Sequence, residues 1–247
     1  MNIIRVKDYE EMSRQAAAHL YKRMTAGKRM TMGLATGATP ERTYDLIIEK
    51  AEGDNQSFHH IHTFNLDEYA GLDSSDTNSY RYYMNQRFFN HIDLPKEQTH
   101  LPNGMAPDLE EECHRYEDEL KQTGGLDVQL LGIGSNGHIG FNEPGTSFSS
   151  RTHVVALTKE TREANARYFT SMNAVPKHAI TMGIETIMEA KEIILLVSGE
   201  AKAEAYDRLL SGGVDEFFPA SILKKHPNVL LIADEAASRT YAGRTFS

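Results

Sequence analysis

The sequence predicts an α/β fold with a mostly parallel sheet covered by helices on both faces. Two observations carry this prediction. Short apolar runs of strand length alternate with amphipathic segments of helix length, and that alternation demands crossover connections between strands. No internal repeat, low-complexity tract or linker interrupts it, so residues 1–247 are expected to form a single domain. At 247 residues the chain is long enough to bury a substantial core.

The elements follow in order. "NIIRV" is a short strand, and "DYEEMSRQAAAHLYKRM" places Tyr9, Met12, Ala16, Leu20 and Met24 on one helix face. "RMTMGLA" reads as a buried strand. The helix "TPERTYDLIIEKA" comes next, carrying Tyr44, Ile47, Ile48 and Ala51, with Thr39 expected as N-cap and Pro40 as first helical residue. "HHIHTFNL" is a strand and "NSYRYYMNQRFF" a helix. "DLEEECHRYEDELKQTGG" opens on Asp108 with Glu111 three residues on, a capping-box pattern, and stops at Gly124. The remainder reads as strand "DVQLLGI", strand "HVVALT", helix "KETREANARYF", strand "EIILLVS", helix "EAKAEAYDRLL" and strand "NVLLIAD".

Composition narrows the function classes. A formal net charge of −9 argues against a general nucleic-acid binder, which needs a basic face. It leaves room for an anionic small molecule, which a few local cations and amides can hold. Cys113 is the single cysteine, so neither an intrachain disulfide nor a thiolate metal cluster is expected. The first residues do not resemble a signal peptide, and no run approaches the ~20 apolar residues needed to span a bilayer. The expectation is a cytoplasmic protein with no membrane partner.

In open α/β sheets ligands bind beyond the carboxyl ends of strands, and three strand exits are chemically unusual. The first is "GLATGATP", residues 33–40. Free amides at the start of the following helix, with the hydroxyls of Thr36 and Thr39, would cradle a phosphate around Gly37 and Ala38. The alternative is an ordinary strand-to-helix turn that needs only Gly37. It is not a P-loop, because no Lys-Ser/Thr pair follows the glycines.

The second exit is "TFNLDEYAGL", where Asp67 and Glu68 follow an apolar strand. Successive strand side chains face opposite ways, so one acid can enter a cleft while the other is structural. A partly desolvated carboxylate there can serve as general base; equally, both acids can simply cap the next loop. Upstream, His60 and His62 invite a metal reading, but no second ligand cluster accompanies them.

The third exit is "LLGIGSNGHIGFNEPGTSF". Gly132, Gly134 and Gly137 match the dinucleotide fingerprint. The fingerprint requires a helix to begin within it, whereas here Gly140, Pro144 and Gly145 make a loop. About 20 residues on, where an acid should hold the ribose, stand Ala156 and Leu157. What remains is Asn136, His138 and Glu143 on one loop. A lone histidine is usually structural, but one flanked by an amide and a carboxylate can be a positioned acid–base.

Taken together, "GLATGATP", "TFNLDEYAGL", "GIGSNGHIGFNEPGTSF" and "SRTHVVALTKETREANARYF" resemble the glucosamine-6-phosphate deaminase family along essentially the whole chain. The resemblance implies a Rossmann-like, doubly wound fold, no metal or nicotinamide cofactor, and a sugar phosphate as substrate. It implies conversion of glucosamine 6-phosphate and water into fructose 6-phosphate and ammonium. His138 would open the sugar ring with Asn136 and Glu143 orienting it, and Asp67 would move the proton from C2 to C1. Thr36, Gly37, Ala38 and Thr39 would hold the phosphate with Arg167 and Lys202. Residues 151–180 would form a mobile lid.

Two departures from the family pattern stand out: Asn136 replaces an aspartate found in some members, and Ala38 replaces glycine or serine. Altered pH dependence is expected from the first. The effector site of the hexameric, regulated members maps onto His153 and Val155, and the carboxyl-terminal segment is shorter. A non-allosteric monomer or small homo-oligomer is therefore expected. The alternatives are a 6-phosphogluconolactonase-type hydrolase and a non-catalytic sugar-phosphate sensor. A lactonase needs no carbon-acid base, and the first strand begins too early to leave room for the sensor's DNA-binding domain.

Overall fold

The structure is a computed structural model that describes residues 1–54, 56–166 and 169–242. Its main sheet has seven strands in the order β1-β10-β9-β6-β2-β3-β5, and every neighbouring pair is parallel. These are β1 Asn2–Val6, β2 Met30–Leu34, β3 Ile61–Asn65, β5 Thr99–His100, β6 Val128–Gly132, β9 Ile193–Val197 and β10 Val229–Asp234. A second sheet of three antiparallel strands, in the order β4-β8-β7, comprises β4 Asp67–Tyr69, β7 His153–Ala156 and β8 His178–Thr181.

The central strands are apolar on both faces because both faces are covered. Ile194 and Leu196 of β9, with Leu230 and Ile232 of β10, enter one core; Ile193, Leu195, Val197 and Leu231 enter the other. The first core is closed by α1 Tyr9–Met24, α2 Ala38–Asp54 and α3 Tyr80–Arg87, through Met12, Leu20, Tyr44, Ile47 and Met84. The second is closed by α4 Leu109–Gln122, α6 Ile184–Met188, α7 Ala203–Ser211 and α8 Glu235–Ala242, through Tyr116, Ile187, Tyr206 and Ala237. This is the doubly wound α/β architecture, with helices on both faces, that the strand–helix alternation predicts.

The chain runs outward from β2 to β3 and β5 on one side, and from β6 to β9 and β10 on the other. The order therefore reverses between β2 and β6, whose carboxyl ends diverge and leave a crevice. Two of the three unusual exits, after β2 and after β6, lie at this point. The third joins them because Leu66 leaves the main sheet still bonded to it: its N–H donates to Leu34 O at 3.0 Å, and its carbonyl accepts from Met182 N–H.

Three local expectations change. The strand "HVVALT" pairs antiparallel with β8 in the small sheet and takes no part in the parallel one. Helix α2 begins at Ala38, two residues before the expected first position, so Thr39 is not its N-cap and Pro40 is its third residue. Gly37, at φ 108°, makes the turn possible without a capping side chain. Ala38, inside the helix, sits in a conformation any L-residue accepts, so it carries no strain. Helix α4 does start on Asp108, whose carboxylate accepts the N–H groups of Glu110 and Glu111.

Among the described residues, no helix is long and apolar enough to cross a membrane.

Candidate active site

A cavity of about 660 Å³ opens at the switch point. The β2 exit contributes Thr36, Gly37, Ala38 and Thr39 to its wall, β4 contributes Asp67, and the β6 exit contributes Ser135, Asn136 and His138. Residues about a hundred positions apart are thus brought to one crevice by strand order alone.

Asp67 and Glu68 divide as the strand alternation requires. Glu68 turns away from the cavity, and its carboxylate accepts the backbone N–H groups of Tyr69, Tyr80 and Arg81 at 2.8, 2.9 and 2.9 Å. It therefore caps the amino end of α3, twelve residues downstream, together with the Ser79 hydroxyl, which accepts from Tyr82 N–H. Burial raises the Glu68 pKa, and these three donors oppose the rise. Glu68→Ala leaves buried amides unpaired, each a cost of about 1–3 kcal/mol. Urea unfolding should show a loss of about 2–4 kcal/mol; a loss below about 1 kcal/mol would mean that water replaces the cap.

Asp67 faces the cavity and is 6% exposed. Burial, with the Glu68 charge beside it, raises its pKa to about 8. A carboxyl group so placed accepts a proton at neutral pH and gives it up to a modest change in surroundings.

The loop after β6 is irregular throughout, with no helix to receive a pyrophosphate. Its glycines have a different use. A Cβ at Gly134 would stand 2.3 Å from the His138 ring, so only glycine allows the ring to fold back there. Glu143 lies behind the histidine and not on the cavity wall. Its Oε2 accepts from Asn136 Nδ2 at 2.7 Å, its Oε1 from the Thr161 hydroxyl at 2.8 Å, and His138 Nδ1 lies 3.6 Å from Oε2. Burial alone would raise the Glu143 pKa. The His138 ring, Asn136 and Thr161 outweigh it and bring the carboxyl down to about 2, so Glu143 is ionised. Asn136 reaches His138 through the backbone, accepting its N–H at 3.1 Å, and bears on the ring by way of Glu143.

Two predicted phosphate contacts are placed less directly. Lys202 is half-buried beside the amino end of α7 and is not among the residues lining the cavity. Burial alone lowers its pKa. Arg167 lies outside the described residues.

Several lining residues escape sequence reading. Tyr80 packs against Tyr69 with ring centroids 4.8 Å apart and lies parallel to Phe141 at 6.2 Å. Arg87 faces Glu41 at 3.6 Å on the first turn of α2. Thr161 and Phe169 reach the cavity from the segment after β7. "NSYRYY" carries a capping serine but nothing that marks Tyr80 as a wall residue. Among the described residues, no group of three or more His, Cys, Asp or Glu is placed to hold a metal ion.

The arrangement offers one wall of hydroxyls and helix-start amides, one buried carboxyl poised to exchange a proton, and one histidine backed by an ionised glutamate. That combination suits proton transfers on a small anionic substrate. Comparison with known proteins agrees. The family model described as glucosamine-6-phosphate isomerases/6-phosphogluconolactonase matches residues 7–232. A glucosamine-6-phosphate deaminase of Shouchella clausii (strain KSM-K16) is 66% identical over 241 residues, 98% of this chain and 98% of that protein. Glucosamine-6-phosphate deaminase 1 of Bacillus subtilis (strain 168) is 54% identical, covering 96% of this chain and 99% of its own length. Among solved structures, a monomeric glucosamine-6-phosphate deaminase superposes with a TM-score of 0.94 at 53% identity, over 97% of this chain and 99% of that one. A 6-phosphogluconolactonase from Trypanosoma cruzi superposes at 0.77 with 19% identity over 96% of each chain, a likeness of fold alone.

Proposed function

The chain belongs to the glucosamine-6-phosphate isomerase/6-phosphogluconolactonase family, and we infer that within it the protein is a glucosamine-6-phosphate deaminase. It converts glucosamine 6-phosphate and water into fructose 6-phosphate and ammonium, a step of amino-sugar catabolism. The observation that carries this reading is the buried Asp67 carboxyl, which faces the same cavity as His138. Removing a proton from carbon needs such a base, and opening a lactone does not.

The closed sugar enters with its phosphate toward residues 36–39, where the helix-start amides favour an anion. Lys202 and Arg167 supply the cations. Among the described residues the Lys202 ammonium has no side-chain hydrogen bond or ion pair, and a phosphate would provide its counter-charge. His138 takes the proton of the anomeric hydroxyl and returns one to the ring oxygen, with Glu143 steadying the charge on the imidazole. Asp67 then removes the C2 proton of the open aldehyde while the aldehyde oxygen takes a proton from the C2 ammonium, which leaves an enolamine, and Asp67 delivers its proton to C1. The resulting C2 imine takes up water and releases ammonium, leaving the C2 ketone.

Residues 151–180 act as the lid, a role supported by Thr161 and Phe169 on the cavity wall. The enzyme works in the cytoplasm as a monomer or small homo-oligomer, without nucleic acid, metal or cofactor. The monomeric relative of 53% identity supports the monomer. Purified protein given glucosamine 6-phosphate should produce ammonium and fructose 6-phosphate in equal amounts. Neither product, with hydrolysis of 6-phosphogluconolactone instead, would reverse the assignment.

Regulation should be absent. Val155 packs beside the small apolar cluster of Tyr69, Phe141, Leu157 and Ala179 and can offer a phosphate no donor. The Nδ1 of His153 is engaged by Arg151 O at 2.8 Å. The saturation curve for glucosamine 6-phosphate should be hyperbolic and unchanged by millimolar N-acetylglucosamine 6-phosphate, apart from weak competition. A Hill coefficient well above one that collapses on adding that sugar would reveal an effector site.

A further inference from the structure

We propose that Thr161 is a positioning residue that couples the first turn of α5 (Lys159–Asn165) to the His138–Glu143 pair, so that ring opening depends on where that helix sits. The inference rests on the deaminase reading for its kinetic consequence, though not for the coupling itself.

The geometry is a continuous run of donors and acceptors. The Thr158 hydroxyl donates to the Thr161 hydroxyl at 3.1 Å, and the Thr161 hydroxyl donates to Glu143 Oε1 at 2.8 Å. Thr158 is also the N-cap of α5, where its side chain accepts the Thr161 N–H at 3.1 Å. The first turn of α5 and the Glu143 carboxylate therefore form one hydrogen-bonded unit. Thr161 lines the substrate cavity as well, so a ligand seated against it bears on this unit directly.

At its other end the unit meets the histidine. His138 Nδ1 is buried and has no hydrogen-bond partner among the described residues, and it stands 3.6 Å from Glu143 Oε2. That separation is too long for a hydrogen bond and short enough that a small rotation of the carboxylate makes one. Oε2 is held by Asn136 and Oε1 by Thr161, so the rotation is set from both sides. Asn136 belongs to the same loop as His138 and moves with it. Thr161 comes from a separate element, and a displacement of α5 reaches the ring through its hydroxyl. Among the described residues, His138 is the titratable group facing Glu143; Asn136 and Thr161 are neutral.

Two variants separate positioning from bulk. Thr161→Val keeps the shape and loses the hydroxyl, and Thr161→Ser keeps the hydroxyl. Thr161→Val should lower kcat about 10-fold with KM changed by no more than about twofold, and Thr161→Ser should restore most of the rate. Affinity for the acyclic analogue 2-amino-2-deoxyglucitol 6-phosphate should be unchanged, because that ligand needs no ring opening. A readout independent of turnover is the nitrogen-15 titration of the His138 ring in the unliganded protein. With Glu143 relieved of one donor, its charge acts more strongly on the imidazolium. The Thr161→Val midpoint should then lie above that of wild type. Any of three results overturns the proposal: a midpoint and kcat that match wild type, equal losses in the valine and serine variants, or a parallel fall in affinity for the acyclic analogue. If the wild type makes no ammonium, the deaminase reading fails, and the ring titration still decides the coupling.

Discussion

Asp67→Asn should lower kcat by at least about 10²-fold, the usual contribution of a positioned acid–base, while the sugar phosphate still binds. The amide keeps the shape of the side chain, cannot take a proton from C2, and stands apart from the phosphate turn. A variant retaining more than a tenth of wild-type kcat, a loss under about 1.4 kcal/mol, would remove Asp67 from the role. The pH dependence follows from the same group. With its pKa raised to about 8 by burial, Asp67 is protonated in the free enzyme at neutral pH and must ionise to act as base. The value of kcat/KM should therefore climb with pH, about tenfold per unit below pH 8, and level above it. In the complex the substrate amine, when cationic, favours the carboxylate, so the same limb in kcat should lie at lower pH.

The raised pKa also has a sign for stability. The folded state holds the Asp67 proton more tightly than the unfolded chain does, so stability is lost as pH rises from about 4 to about 8 and no further above it. Asp67→Asn removes that cost. The variant should resist urea better than wild type at pH 9 and lose this advantage near pH 4. A variant weaker than wild type at pH 9 would show that the carboxylate carries no burial cost.

His138→Gln should be slowed about 10²-fold or more on the cyclic substrate and should bind the acyclic analogue nearly as well as wild type. The imidazole opens the ring and has no duty once the chain is open, and glutamine can neither take nor return a proton. Parallel loss of affinity for the acyclic analogue would make His138 a binding residue.

The long apolar strands β2, β6, β9 and β10 were legible because burial on both faces leaves an unmistakable run. The three strand exits were legible because each breaks that run with residues a strand does not need. The small sheet was not. "DEY" is polar and three residues long, and its pairing with β8 connects Asp67 to Thr181 across more than a hundred positions. Glu68 could be read as structural, but its partner could not, since the cap it forms lies on α3. Thr39 carried the signal of a cap that Gly37 made unnecessary. Glu143 is legible as an orienting group, yet nothing in "KETREAN" announces that the Thr161 hydroxyl donates to it. Tyr80 and Arg87 reach the cavity by the angle at which α3 packs, which depends on the core and not on their own neighbours in sequence.

The central claim is that Asp67 takes the C2 proton, and substrate deuterated at C2 tests it most directly. Wild type should release or transfer the deuterium in step with ammonium, and Asp67→Asn should leave it at C2 with no ammonium formed. Loss of deuterium from C2 at the wild-type rate in Asp67→Asn would place the base elsewhere.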